Sequence, residues 1–377
     1  MNYEFLNLAE SNRRYADALK EAACRVIDSG RFLNGAEIGA LESEIAEYVG
    51  ADHAIAVSTG LDAIRLIFRA YMEEGRLKEG DEVLFPANTF IASVLPLTEL
   101  GLKAMPAAVD PATSNIDFKR LKESLTERTR AVLVVHLYGS PCYDAQAYRE
   151  LKERGILIVE DCAQALGARA SEAGLNGSAY CGALGDAAAI SFYPTKNLGA
   201  LGDAGMVITS DDRLASDVRT LAQYGSEKRY HNIYHGYNNR MDELQAAFLR
   251  VKLPGLDAEN DRRREVAAEY CSRITHPEVA TPSLIEDERQ VWHQFVVRSP
   301  RRDQLKEWLA SQGVATDIHY PIPPHAQPCY QGEFPQTPAL DEAEKLAGEI
   351  LSLPIANITP ADARAIADII NRFPTIS

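Results

Sequence analysis

One lysine of this chain stands where an amine can do chemistry. Lys196 lies in Ser191-Phe-Tyr-Pro-Thr-Lys196-Asn-Leu-Gly-Ala-Leu-Gly-Asp-Ala-Gly205, a loop between the strand-like runs Ala187 to Tyr193 and Gly205 to Thr209. Gly199, Gly202 and Gly205 free the backbone between them. A lysine held where a sheet feeds a loop loses water and its pKa falls, as a nucleophile toward a carbonyl requires. A solvated surface lysine is the plain alternative, so the other strand ends have to decide. In open α/β sheets ligands lie beyond the carboxyl ends of the strands. The run Ala54 to Ser58 ends in Ser58-Thr59-Gly60 and enters a helix, which offers backbone amides and a positive dipole end to a phosphate. A capped helix after a tight turn has the same look. Ile156-Leu-Ile-Val-Glu160-Asp161 ends an apolar strand in two acids. A carboxylate facing a protonated ring nitrogen explains an acid there, as does a solvated strand end or an N-cap. Gln164, three residues on, reaches a ligand hydroxyl or the backbone. Phe85-Pro-Ala-Asn-Thr-Phe90 puts an aromatic beyond another strand, as a stacking residue or as core. Ser191 brings a hydroxyl to the end of the strand that leads to Lys196. Jointly these are a phosphate cradle, a stacking ring, a carboxylate for a ring nitrogen and a Schiff-base amine, the parts of a pyridoxal 5′-phosphate pocket.

Such a pocket needs a sheet, and the pattern supplies one. Glu37 to Val49 is an amphipathic helix with Ile38, Leu41, Ile45 and Val49 on one face. Strands and helices then alternate: Ala54 to Ser58, a helix from Leu61 to Glu74, Glu82 to Phe85, a helix from Ile91 to Leu100, Lys103 to Val109, Ala131 to Val135, the helix Asp144 to Arg154, and Ile156 to Val159. Alternation of this kind predicts an α/β fold with a mainly parallel mixed sheet. Past Met241 the character changes. A polar-faced helix from Asp242 to Ser272, interrupted near Pro254-Gly255, leads to a strand at Val291 to Val297, a helix at Arg302 to Gln312, a proline-rich loop from Tyr320 to Pro328 and a last helix at Pro360 to Arg372. The expected division is a large cofactor-binding α/β domain, 1-250, and a small C-terminal α+β domain, 251-377.

Composition narrows the partners. With 377 residues, 46% hydrophobic and 25% charged, the chain has the make-up of a globular protein with more than one core. A net charge of −15 argues against nucleic acid or an anionic membrane as the main partner. The cysteines Cys24, Cys142, Cys162, Cys181, Cys271 and Cys329 show no CxxC pair, which fits reduced thiols in a cytoplasm. No signal-peptide pattern opens the sequence and no apolar run is long enough for a membrane helix. The sequons at Asn176 and Asn357 then read as accidental.

The sequence also resembles the DegT/DnrJ/EryC1/StrS family of fold-type I sugar aminotransferases. The resemblance rests on Phe85 to Ser93, Glu160-Asp-Cys-Ala-Gln-Ala165, Ser191-Phe-Tyr-Pro-Thr-Lys196, Gly236-Tyr-Asn-Asn-Arg-Met-Asp-Glu-Leu-Gln-Ala-Ala247 and His319-Tyr-Pro-Ile-Pro-Pro-His325, in the family's order. It implies that Lys196 joins pyridoxal phosphate, that Asp161 meets the pyridine nitrogen and Gln164 the ring hydroxyl, and that Phe90 stacks on the ring. Ser191, Thr59 and Gly60 would hold the phosphate, and Asn238, followed by Asn239 and Arg240, would reach it from a second subunit. Tyr193, His319 and His325 would touch the substrate. The family often has threonine where this chain has Leu61, which shifts the load to backbone amides and Ser191. The implied reaction is transamination of a nucleotide-linked keto sugar by L-glutamate, in a homodimer with shared active sites.

Other chemistries fit less well. No G-x-G-x-x-G follows a strand and no P-loop signature is present, which argues against a dinucleotide dehydrogenase or a P-loop enzyme. His319, His325 and Cys329 lack a recognised zinc-ligand spacing, so no metal is expected. A non-catalytic pyridoxal phosphate-binding protein is disfavoured by Lys196 itself. The loop Gly199 to Gly205 resembles that of family members that aminate C3 of a 3-keto-6-deoxyhexose, and Leu201 and Asp203 would add bulk and a carboxylate to the wall against which the sugar lies. Amination at C4 of a 4-keto sugar is the alternative.

Overall fold

The computed structural model describes residues 2–284, 289–334 and 336–375. The apolar runs form one seven-stranded sheet in the order β1-β7-β6-β5-β4-β2-β3. Its strands are β1 (His53–Val57), β2 (Glu82–Pro86), β3 (Lys103–Ala107), β4 (Thr129–Val135), β5 (Leu157–Asp161), β6 (Ala187–Ser191) and β7 (Gly205–Thr209). β7 runs antiparallel to both of its neighbours, β1 and β6, and the other pairings are parallel. Six strands therefore point the same way, and their carboxyl ends open on one edge. The sheet is the mainly parallel mixed sheet expected of the fold.

Both faces are covered, which is why the strands are apolar throughout rather than alternating. Ile38, Leu41, Ile45 and Val49 of the helix Ala36–Val49 pack with Ile158, Ile190 and Met206 on one face. On the other, helices Gly60–Glu73 and Asp212–Ala222 pack with Val57, Val159 and Val207. Side chains alternate along β5, so Glu160 follows Ile158 to the first face and Asp161 follows Val159 to the second.

A second core lies C-terminal. It is built on the antiparallel pair β10 (Phe295–Arg298) and β11 (Ile350–Leu353) with helices Leu256–Arg273, Arg302–Ser311 and Pro360–Asn371, while β8 (Ser226–Lys228) and β9 (His231–Asn232) form a separate exposed hairpin. Residue 250 lies inside the helix Glu243–Lys252, just before the turn Leu253–Gly255 that interrupts the long helical stretch. The N-terminus returns to this body: Tyr3 bridges Val314, and the Asn7 amide donates to Asn357 Oδ1 at 2.9 Å.

Some elements differ from the sequence expectation. The strand placed at Val291 to Val297 begins only at Phe295, because Trp292 takes a left-handed φ of 47° that no strand can carry. The helix placed at Ile91 to Leu100 is a short 3-10 turn followed by Leu95–Glu99, with Pro96 in the opening turn of the second piece. The helices Ala16–Ser29, Asp212–Ala222 and Pro338–Glu349 were not anticipated.

Candidate active site

The carboxyl edge of the sheet carries a cavity of about 470 Å³ whose lining includes Thr59, Gly60, Phe90, Asp161, Gln164, Ser191, Tyr193, Lys196 and His319. With Val135 and Leu137 at the end of β4 also in the lining, five strand ends deliver into one space. At the end of β1, Thr59 Oγ1 accepts the Asp62 amide at 3.0 Å and caps the helix Gly60–Glu73. The first-turn amides of Gly60 and Leu61 have no carbonyl to bond within the helix, and both residues line the cavity. The backbone here is packed without slack. A Cβ on Gly60 would stand 2.7 Å from Ser191 Cβ, and one on Gly205 would stand 2.2 Å from the Thr59 carbonyl carbon.

Asp161 is buried. Its Oδ2 accepts from Ser93 Oγ at 2.7 Å and its Oδ1 from the Ala163 amide at 3.0 Å. A carboxylate accepts more than two hydrogen bonds, so one face remains for a cationic partner. Its neighbour Glu160 has a different task. Glu160 Oε1 takes the amides of Leu184 and Gly185 at 2.9 and 2.8 Å, and Oε2 takes the Gly182 amide at 2.8 Å and meets His136 Nε2 at 2.8 Å. His136 Nδ1 accepts from the Cys142 amide at 2.9 Å, so the ring's proton sits on Nε2 and is donated to Glu160. His136, Glu160 and Cys162 are within reach of one another, with ligand atoms inside 4.8 Å, but both ring nitrogens and both carboxylate oxygens are already engaged. This cluster braces the loop that enters β6.

Lys196 Nζ has no hydrogen-bond or ion-pair partner among the described residues. Burial lowers the pKa of this amine to about 8, and the Asp161 carboxylate pulls the other way. A second amine, Lys252, braces the same loop from behind by donating to the Gly199 carbonyl, and burial, helped by Arg14, lowers it to about 8 as well. Gln164 is fixed at both ends. Its Oε1 accepts the Tyr138 amide at 2.6 Å and its Nε2 donates to Tyr320 Oη at 3.0 Å. Phe90, 46% exposed, leans over Tyr320 with ring centroids 4.7 Å apart. His319 Nδ1 meets Ser352 Oγ at 2.8 Å, and burial lowers its pKa.

Two nominated residues, Asn238, expected at a second subunit's site, and His325, lie outside this chain's own cavity. Asn238 is exposed, bridged to Gln223 and outside the cavity of its own chain. His325 is buried against Glu344, with Nε2 and Oε1 3.1 Å apart, and is not among the residues that line the cavity. Asp203 lines the cavity, whereas Leu201 does not, its amide being held by Gln245 Oε1 at 2.9 Å. Sequence reasoning missed His293, which is buried beside Lys196, lines the cavity and bonds Asn197 at 3.0 Å. The available signal was the polar pair His293-Gln294 inside an otherwise apolar run.

The family model for the DegT/DnrJ/EryC1/StrS aminotransferases matches residues 14–371. A dTDP-3-amino-3,6-dideoxy-alpha-D-galactopyranose transaminase of Aneurinibacillus thermoaerophilus is 42% identical over 98% of this chain and 99% of its own. A dTDP-3-amino-3,4,6-trideoxy-alpha-D-glucose transaminase of Streptomyces venezuelae is 42% identical over 93% of this chain and 90% of its own. Among solved structures, S. venezuelae DesV in complex with a ketimine intermediate superposes with a TM-score of 0.92 at 40% identity, covering 98% of both chains.

Proposed function

Because this chain belongs to the DegT/DnrJ/EryC1/StrS aminotransferase family, we propose that it moves an amino group onto C3 of a dTDP-linked 3-keto-6-deoxyhexose, with L-glutamate as donor. The chain is a pyridoxal phosphate-dependent aminotransferase of fold type I. The observation that carries the choice of C3 is that two relatives, each 42% identical over at least 93% of the chain, are both named for 3-amino sugars.

The cavity suits the cofactor. It offers an unpaired amine of lowered pKa, a buried carboxylate with a free face, an aromatic ring at its rim and open first-turn amides in one space of about 470 Å³. When bound, pyridoxal phosphate supplies a carbonyl for the amine and a ring that spreads the charge left by a departing proton. Asp161 keeps the ring nitrogen cationic, as a buried carboxylate opposite a cation does. The amides of Gly60 and Leu61, with Thr59 and the Ser191 hydroxyl, hold the phosphate at the positive end of the helix. Phe90 would cover the ring and Gln164 would stand at its hydroxyl. Lys196 Nζ would be the covalent anchor of the cofactor, and its amine is placed to carry the proton at the reacting carbon as general base and then general acid. Tyr193 and His319 face the substrate, and Asp203 is placed to accept a sugar hydroxyl.

The working unit of this reading is a homodimer. Asn238 is exposed and lies outside its own chain's cavity, as a residue that serves the neighbouring site has to be. Residues 1-250 carry the cofactor and 251-377 form the smaller domain. No helix among the described residues is long and apolar enough to cross a membrane. The test is NMR analysis of the products from paired 3-keto and 4-keto dTDP-6-deoxyhexoses incubated with L-glutamate. Nitrogen is expected at C3; nitrogen appearing only at C4 rejects the regiochemistry and leaves the aminotransferase standing.

A further inference from the structure

Asn197 determines which proton His293 carries. The Asn197 side chain donates at Nδ2 to Asn260 Oδ1 at 2.8 Å and to the Val291 carbonyl at 2.9 Å. Asn260 is itself oriented, because its Nδ2 donates to the Leu166 carbonyl at 3.3 Å and leaves Oδ1 as the acceptor. The Asn197 atom that meets His293 Nδ1 at 3.0 Å is therefore its carbonyl oxygen, an acceptor only. The proton of His293 must sit on Nδ1.

A neutral imidazole has one N–H, so Nε2 is left as a bare acceptor. The ring stays neutral because it is 5% exposed and faces the cations Lys196 and Arg263 and the imidazole of His319, all of which push its pKa well below the ordinary histidine value. Nε2 has no hydrogen-bond partner among the described residues, and the ring lines the cavity that holds Lys196, Asp161 and Tyr320. Nε2 is not among the buried atoms left without a partner, so it keeps access to the cavity, where a ligand hydroxyl can take the place of water as its donor.

We propose that His293 Nε2 accepts a hydrogen bond from a hydroxyl of the sugar substrate, the one on a carbon flanking the keto carbon. The proposal rests on the sugar aminotransferase reading above. Lys196 works at the reacting carbon, and His293 stands beside Lys196, so the donor that meets it is one carbon away, at C2 or C4. His293 is on this view a substrate-binding residue that reads the hydroxyl next to the amination position.

The experiment measures kcat/KM of the holoenzyme on the dTDP-3-keto-6-deoxyhexose and on its 2-deoxy and 4-deoxy counterparts. Wild type is expected to favour the parent over one deoxy sugar by about tenfold, the upper value of one net hydrogen bond. His293→Asn keeps a donor for Asn197 but loses the Nε2 acceptor, and its preference should collapse toward parity. His293→Gln, whose amide oxygen reaches further, should restore part of the preference. Wild type that treats all three sugars alike overturns the assignment without any variant, and so does a His293→Asn enzyme that keeps the full preference. Wild type that aminates none of the three overturns the sugar reading and this assignment with it.

Discussion

The pKa of about 8 at Lys196 sets how the protein without cofactor should capture pyridoxal phosphate as pH changes. Only the neutral amine attacks a carbonyl. At pH 7 an amine of pKa 8 is about 9% neutral, whereas one at the ordinary lysine value of about 10.4 is about 0.04% neutral, a difference of roughly 200-fold in the reactive form. The sign follows from burial: desolvation disfavours the ammonium, so the reactive fraction rises with pH and levels off above the lowered pKa. Mixing cofactor-free protein with pyridoxal phosphate from pH 6 to 10, and timing the growth of the visible band, should give a rate that climbs tenfold per pH unit below about 8 and flattens above it. Asp161 is the charge that opposes the shift, so Asp161→Asn should move the midpoint to lower pH. A midpoint at 10 or above, or one that rises in Asp161→Asn, refutes the argument that a water-poor cavity tunes this amine.

Lys196→Ala should bind pyridoxal phosphate without the visible band and show no turnover; normal turnover would remove the lysine from the mechanism. When Lys196→Ala and Asn238→Ala chains are mixed and allowed to exchange, half of the dimers are mixed and each has one intact site, so about a quarter of wild-type activity should return. No recovery in dimers shown to be mixed argues against sharing. Gly60→Ala drives a Cβ to 2.7 Å from Ser191 Cβ at the mouth of the phosphate cradle, and a cofactor titration should show affinity weakened about tenfold. Glu160→Gln replaces an acceptor of three amides and the His136 proton, and should cost about 3 kcal/mol of stability in urea unfolding; a cost within 0.5 kcal/mol would mean the cluster braces nothing.

The parallel strands were readable because burial on both faces leaves an apolar run bounded by glycine, proline or acids, and Ile156 to Asp161 shows this well. The chemistry was readable for the same reason: a charged residue at the end of such a run has to be explained. The apolar run by itself could not say which of the two acids does which job, since that depends on the face each one meets, and it was the family resemblance that singled out Asp161. It was silent on Lys252 as well, whose partner is a carbonyl 53 positions away. The helix Asp212–Ala222 opens with a clear signal, Asp211 accepting the amides of Arg213 and Leu214, and its charged face hid it among polar residues. Trp292 hid the bend before Phe295, because a tryptophan among valines and phenylalanine reads as strand and only the folded backbone reveals the left-handed turn.

The lysine loop leaves the sheet at Ser191 and re-enters at Gly205, and these two residues face each other in the β6–β7 register while Gly205 also faces Val57 of β1. The ends of the loop are thus joined, and the joint lies against Thr59 and Gly60, which cap the helix at the cradle. Because the ends are fixed by strand pairing, most of the entropy cost of closing the loop is met when the sheet forms and falls on folding rather than on cofactor capture. Lysine and phosphate cradle then belong to one cooperative unit. The slowly exchanging amides of residues 192–204 and of the first turn after Thr59 should share a single opening free energy, and a lesion on either side of the joint should loosen both.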